Sequence, residues 1–235
     1  MKQYEQVIDV MRKNGGFATL GFLYQNVDVS KWTTKTPFAS IRRIVQDERY
    51  FYKIKPGLWA LNECKADIVK KLSLKNSAED KKFNHTYYQG LIVEIGNLKG
   101  LQTYVPPQDK NKLFLNTPLG SISTLDRIPN FSYSEFVTRA KTIDVIWFNN
   151  RNMPYSFFEV EYSTDIQNSL LKFNDLQDFY SYFYIVSAIE RKKEFDQKIN
   201  YRAFTDIKDR VKFLDYEFIT NLHTKSFELF SIGKL

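Results

Sequence analysis

Three carboxylates set in apolar sequence are the residues best placed to do chemistry. Asp144 interrupts the run Ile143 to Phe148, and Glu159 and Glu161 alternate along Tyr155 to Glu161. Side chains two apart on a strand share a face, so both glutamates point the same way. Their neighbours Phe157, Phe158 and Val160 are apolar. The turn sequence Arg151-Asn152-Met153-Pro154 separates the two strands, and a hairpin there brings Asp144 close to the glutamates. Carboxylates converging in apolar surroundings repel one another and lose hydration. A hard divalent cation with oxygen ligands removes that cost, and Mg²⁺ is the usual choice where phosphate completes its shell. The alternative is three edge-strand charges that deter aggregation. Against it stands the placing of Asp144 within an otherwise apolar strand. His85 and His223 are isolated and lack metal-ligand spacing, and no Ser-His-Asp grouping, P-loop or dinucleotide fingerprint occurs.

The elements that must hold these acids alternate between helix and strand. Tyr88, Leu91, Ile92, Ile95 and Leu98 repeat at helical spacing over 86–99, and Gly100 ends that helix. Leu101 to Val105 reads as a strand stopped by Pro106-Pro107, and 132–140 as a helix. After the acidic strands, 165–180 has the pattern of an amphipathic helix, with Ser163 or Thr164 as its cap. A buried strand at Tyr182 to Ala188, a charged helix to about Lys198, a strand from Val211 and a helical or extended end complete the pattern. The sum is an α/β domain with a mixed sheet.

The remaining third is different in charge. Residues 1–62 carry ten Lys and Arg against five Asp and Glu; 63–85 carry six against four; 86–235 carry eighteen of each. The whole excess of the +7 chain therefore lies before residue 86, the footprint of a phosphate-backbone binder or of a basic but inert domain. Apolar spacing predicts helices over 2–13, 17–27 and 37–46. A hairpin follows, Tyr50 to Ile54 and Leu58 to Leu61 about Lys55-Pro56-Gly57. Three helices and a closing hairpin, FYKIKPGLWAL, resemble a winged helix-turn-helix module. That resemblance makes the third helix the one that enters the major groove. It implies DNA contacts from Ser40, Arg42 and Arg43 on its outer face and from Lys53 and Lys55 on the wing. The expected organisation is a DNA-binding domain over 1–62, a short helix and linker over 63–85, and an α/β domain over 86–235.

The run IDVIWFNNRNMPYSFFEVEY resembles the PD-(D/E)XK nuclease superfamily, whose pattern is an acid, a gap, then acid-x-Lys on the neighbouring strand. Ile143-Asp144 stands for the first element and Glu159-Val160-Glu161 for the second. TYYQGLIVEIGNLKGLQTYVP looks like the helix and strand that open the fold, which matches Glu94 to a helix-borne acid. The resemblance implies Mg²⁺ held by Asp144, Glu159 and the Val160 carbonyl, with Glu161 orienting or deprotonating the attacking water or binding a second metal, and Glu94 completing the shell. Glu161 stands where the family has lysine, and Lys172 or Lys141 is left to substitute. The implied activity is cleavage of double-stranded DNA at a specific or modified sequence by a restriction-type endonuclease acting as a homodimer. Two alternatives remain: a transcription regulator with an inactive nuclease-like domain, and a repair or mobile-element nuclease acting on structured DNA. The single cysteine, Cys64, and the lack of a signal-like start or of any apolar run near the ~20 residues of a membrane span imply a soluble cytoplasmic protein.

Overall fold

The computed structural model describes residues 1–72 and 77–232. The chain divides into two compact units, Met1–Glu79 with Thr220–Leu235, and Asp80–Ile219.

The first unit begins with α1 (Gln3–Lys13), β1 (Phe17–Thr19), α2 (Leu20–Asn26) and α3 (Pro37–Ile44). The hairpin of β2 (Phe51–Lys55) and β3 (Leu58–Leu61) follows, then a single 3-10 turn and α4 (Lys65–Lys71). Gly15 and Gly16 take φ of 85° and 91°, a left-handed region that glycine enters without penalty, and they end α1 sharply. The expected helix over 17–27 is a strand for its first three residues. Phe17, Ala18 and Thr19 pair antiparallel with Ala60, Trp59 and Leu58. The Thr19 hydroxyl then accepts from the Phe22 amide at 3.1 Å and caps α2. Helical spacing alone cannot separate these three apolar residues from the helix behind them, because sheet pairing is non-local. The strand order is β1-β3-β2. Val7, Met11, Phe17, Leu23 and Ile41 are fully buried between helices and sheet.

The second unit takes most of the long helix α5 (Ser77–Leu98), which starts nine residues before the expected 86. Of the linker expected over 63–85, both ends are thus helical, and 73–76 lies outside the described residues. Then come β4 (Gln102–Tyr104), the small hairpin β5 (Leu113–Phe114) and β6 (Thr117–Pro118), α6 (Leu119–Ile122) and α7 (Ser134–Ala140). The acidic segment forms β7 (Val145–Phe148) and β8 (Pro154–Glu161). After it stand α8 (Ile166–Asn174), β9 (Tyr182–Ser187), α9 (Lys192–Ile199) and β10 (Val211–Asp215), and α10 (Tyr216–Ile232) begins within this unit. No sequence pattern announces the hairpin at 113–118, since its two-residue strands are too short to show a period. The helix expected over 165–180 stops at Asn174, and Asp165 rather than Ser163 or Thr164 is its cap, accepting from the Gln167 amide at 2.9 Å.

The five-stranded sheet runs β10-β9-β8-β7-β4. Strands β4, β7 and β8 pair antiparallel, and β8, β9 and β10 pair parallel. Each face is covered by a helix. Phe157 and Phe183 stack at 5.5 Å and meet Phe173 of α8. On the other face Phe158 lies between Trp147 and Tyr184, and the Trp147 indole donates to the Ile92 carbonyl of α5 at 3.1 Å. Gly96 lets α5 come this close, for a Cβ there would lie 2.5 Å from the Trp147 nitrogen. Each fully buried phenylalanine contributes roughly 1.5–3 kcal/mol. No helix among the described residues is long and apolar enough to cross a membrane.

Candidate active site

The β7–β8 turn decides where the acids meet. Asn149 accepts through its side-chain oxygen from the Arg151 and Met153 amides at 2.9 and 3.1 Å, and Asn152 takes a φ of 57°, which asparagine tolerates. This turn sets the register Val145 opposite Phe158. The ladder ends there, with Asp144 preceding Val145 and Glu159 following Phe158. Asp144 stands just before the strand rather than within it, and its backbone leaves the ladder. Its carboxylate takes the place of a ladder acceptor: Oδ2 receives the Val160 amide at 2.8 Å. Two side chains of α5 meet the same residue. His85 Nε2 is 3.2 Å from Oδ2, and Gln89 donates to the Asp144 carbonyl at 3.1 Å and to Asp109 at 2.7 Å.

Glu159 and Glu161 project onto the face covered by α8, as the period of two requires. Both are buried. Lys172 grips Glu159, with Nζ at 2.8 and 3.0 Å from its two oxygens, and also donates to the Thr142 carbonyl at 3.0 Å. Ser169, one turn earlier on α8, donates to Glu159 at 3.0 Å and to Glu161. Thr164 bonds the other Glu161 oxygen, and Arg191 Nη1 stands 4.0 Å from it. Burial pushes the Glu159 carboxyl up to about 8, with the Asp144 charge adding to the rise and Lys172 opposing it. Burial also raises Glu161, against the Ser169 hydrogen bond. At His85 burial opposes the charged ring, but the hydrogen bond and charge of Asp144 prevail and its pKa is raised.

The structure therefore brings Asp144, Glu159 and Val160 together and turns Glu161 toward Thr164, Ser169 and Arg191. Glu94 is half-buried five residues beyond Gln89 on α5. The α5 side chains that reach Asp144 are His85 and Gln89, which sequence spacing does not single out. Lys141 is exposed and Lys172 is engaged, a distinction the sequence leaves open. Among the described residues, no group of three or more His, Cys, Asp or Glu stands as a metal-binding cluster. Two carboxylates and the Val160 carbonyl nevertheless form a donor set of the right chemistry for Mg²⁺. That ion is commonly held by one or two carboxylates, with waters and phosphate completing its shell. The raised carboxyl of Glu159 points the same way: burial and the nearby Asp144 charge outweigh the Lys172 ammonium, and a further cation would relieve both.

That shift predicts a pH dependence of stability in chelator. A carboxyl whose folded pKa lies above its unfolded value stabilises the fold at low pH, and the contribution is lost as pH rises through the folded pKa. Between about pH 4.5 and 8 the parent protein is expected to lose stability relative to Glu159→Gln, which stays neutral. Thermal melts in EDTA should show the gap widening by roughly 5 °C or more. Parallel melting curves for the two proteins would show that Glu159 is not held in its neutral form.

On the first unit, Arg43 and Lys53 are exposed, and Lys55 is half-buried. Arg42 donates to the Tyr24 hydroxyl at 3.2 Å and lies 3.5 Å from Glu228. Ser40 departs from the expected outer face. It is buried, and its hydroxyl donates to the Thr36 carbonyl at 3.3 Å, because position 40 falls beside Ile41 on the inward side of α3.

A family model described as type II restriction enzyme NmeDI C-terminal domain matches residues 67–233, most of the chain. No curated protein and no solved structure gives a significant match. The match covers the acidic hairpin, both helices packed on it and the whole mixed sheet, and by it the chain belongs to the family of the type II restriction enzyme NmeDI C-terminal domain.

Proposed function

We propose that this protein is a Mg²⁺-dependent restriction-type endonuclease that hydrolyses phosphodiester bonds in double-stranded DNA. The observation that carries this reading is the junction of β7 and β8. There Asp144 is fixed on the Val160 amide at 2.8 Å, beside a buried Glu159 already paired with a cation from α8. The order of helix, antiparallel strands bearing the acids, helix and parallel strand also accords with a PD-(D/E)XK core. Membership in a restriction-enzyme family supports DNA as the substrate.

In this reading Asp144, Glu159 and the Val160 carbonyl hold the metal. When bound, Mg²⁺ supplies Lewis acidity to the phosphate and to the attacking water. The chain's own groups do the rest. Lys172 provides the positive charge that the superfamily takes from the strand position filled here by Glu161. Held on both Glu159 oxygens and the Thr142 carbonyl, its ammonium would offset negative charge beside the metal. Glu161, its carboxyl raised by burial and its orientation set by Ser169 and Thr164, is suited to accept a proton from the water. Asp144 in turn is held in place by His85 and the Val160 amide.

The first unit is read as a winged helix that docks on DNA. The order helix, strand, helix, helix, strand, strand and the sheet order β1-β3-β2 support it, together with the exposed Arg43 of α3 and Lys53 of β2. Purified protein with mixed plasmid and genomic DNA, modified and unmodified, tests the whole reading. Mg²⁺-dependent double-strand cuts at one sequence are expected, and none in EDTA. Binding without cleavage in Mg²⁺ or Mn²⁺ would favour a DNA-binding regulator, and cuts only at branched or flapped DNA a repair-type nuclease. In a salt titration, Arg43→Ala with Lys53→Ala should weaken binding. It should also flatten the log–log slope by roughly 0.9 for each phosphate that the variant no longer neutralises. An unchanged slope would move the DNA surface elsewhere.

A further inference from the structure

One cation at the edge of the candidate site is built in rigidly and has no role in the chemistry described above. Arg191 ends the 3-10 turn Ile189–Arg191 that follows β9. Its Nε and Nη2 donate to Glu194 at 3.0 and 2.9 Å, and Nη2 also donates to the Thr164 carbonyl at 2.6 Å. Lys198 holds the other Glu194 oxygen at 2.9 Å, so the anchor is itself anchored. The third nitrogen, Nη1, is buried and makes no hydrogen bond among the described residues. A guanidinium keeps its charge at any ordinary pH, and a buried donor without an acceptor is costly.

The direction of Nη1 identifies the acceptor class. It faces Glu161 Oε2 at 4.0 Å, too far for a hydrogen bond, and both Glu161 oxygens already receive hydroxyls from Ser169 and Thr164. Glu161 pairs with Ser187 across the parallel strands, so Arg191 lies outside the carboxyl ends of β8 and β9, where open α/β sheets receive ligands. A planar fork fixed through Nε and Nη2, with the buried Nη1 left without an acceptor, matches a phosphate oxygen better than an ammonium would. We propose that Arg191 is a phosphate-binding residue, its Nη1 taking a non-bridging oxygen of the DNA backbone at the Glu161 edge of the site. This rests on the endonuclease reading and adds an interaction that neither the acid pattern nor the family match specifies.

The test uses the full chain and duplex DNA whose cut position has been mapped with the parent. Arg191→Met should slow single-turnover cleavage by about 100-fold, with the Mg²⁺ requirement unchanged. Arg191→Lys, which keeps a cation for Glu194 and guards against loss of folding, should still lose at least about tenfold. Neutral methylphosphonates stepped along the cut strand supply the specific readout. One position should slow the parent as much as Arg191→Met does, and should add nothing further in that variant. In EDTA, binding by Arg191→Met should show a salt slope lower by about 0.9. Parental cleavage by Arg191→Met, equal slowing of both proteins at every methylphosphonate position, or a raised Mg²⁺ requirement would each overturn the assignment. A parent that binds DNA but never cuts overturns the endonuclease reading instead, while the salt slope still decides whether Arg191 contacts a phosphate.

Discussion

Asp144→Asn and Glu159→Gln are each expected to lower DNA cleavage by about 10³-fold or more while leaving a folded protein that still binds DNA. The size follows from the role: each change removes one of two carboxylates proposed to hold the metal, and metal-assisted hydrolysis has no substitute path of comparable rate. The amides are chosen over alanine for a structural reason. The Asp144 carboxylate closes the end of the β7–β8 ladder by accepting the Val160 amide, and an asparagine oxygen can still do so. Alanine would strip that acceptor and confuse misfolding with impaired chemistry. Glu159→Gln likewise keeps an acceptor for Ser169 and Lys172 and ends the burial of an ionisable carboxyl. Circular dichroism and a binding titration in EDTA should match the parent, and only the Mg²⁺-dependent cut should vanish. Near-parental cleavage by both variants would place the metal somewhere other than this hairpin.

The second large effect concerns the cation. Lys172→Met should lower cleavage by about 10²-fold or more, and Glu161→Lys should not restore it. Lys172 is the only lysine seen on either glutamate among the described residues, and its Nζ spans both Glu159 oxygens. Methionine keeps most of the stem's packing and removes the charge. Glu161→Lys rebuilds the commoner acid-x-Lys pattern on paper, but its surroundings suit an anion. Two hydroxyls are turned toward the carboxylate and Arg191 stands 4.0 Å away. A lysine there is buried against a guanidinium, which costs more than it returns. Single-turnover rates of the parent, the two single variants and the double variant decide the matter. Recovery in the double variant would show that the ammonium can act equally well from β8, and that Glu161 is a neutral departure from the superfamily pattern.

Local pattern carries much of the architecture. The period of two in Tyr155 to Glu161 places Glu159 and Glu161 on one face. The turn residues at 151–154 place the hairpin, and alternating helical and strand signals indicate a mixed sheet. These are readable because each depends on neighbours a few residues apart. The strand at Phe17 to Thr19 is not readable, since its partners lie some forty residues later on β3. Ser40 falls on the inner rather than the expected outer face because one residue of helical rotation separates inside from outside. The site shows the same division. Composition marks Asp144 and the two glutamates, but their partners come from other elements. His85 and Gln89 lie on a helix more than fifty residues before the acid they touch, and Arg191 lies beyond β9. The choice of Lys172 over Lys141 is equally hidden. Both fit the sequence, and only the packing of α8 on β8 sets one ammonium on Glu159 while the other faces water. Residue order along the chain is enough to say which side chains are available and which strand face they share. Which of them meet is settled by packing, because burial, charge pairing and the approach of helix to sheet are properties of the folded chain and not of any window along it.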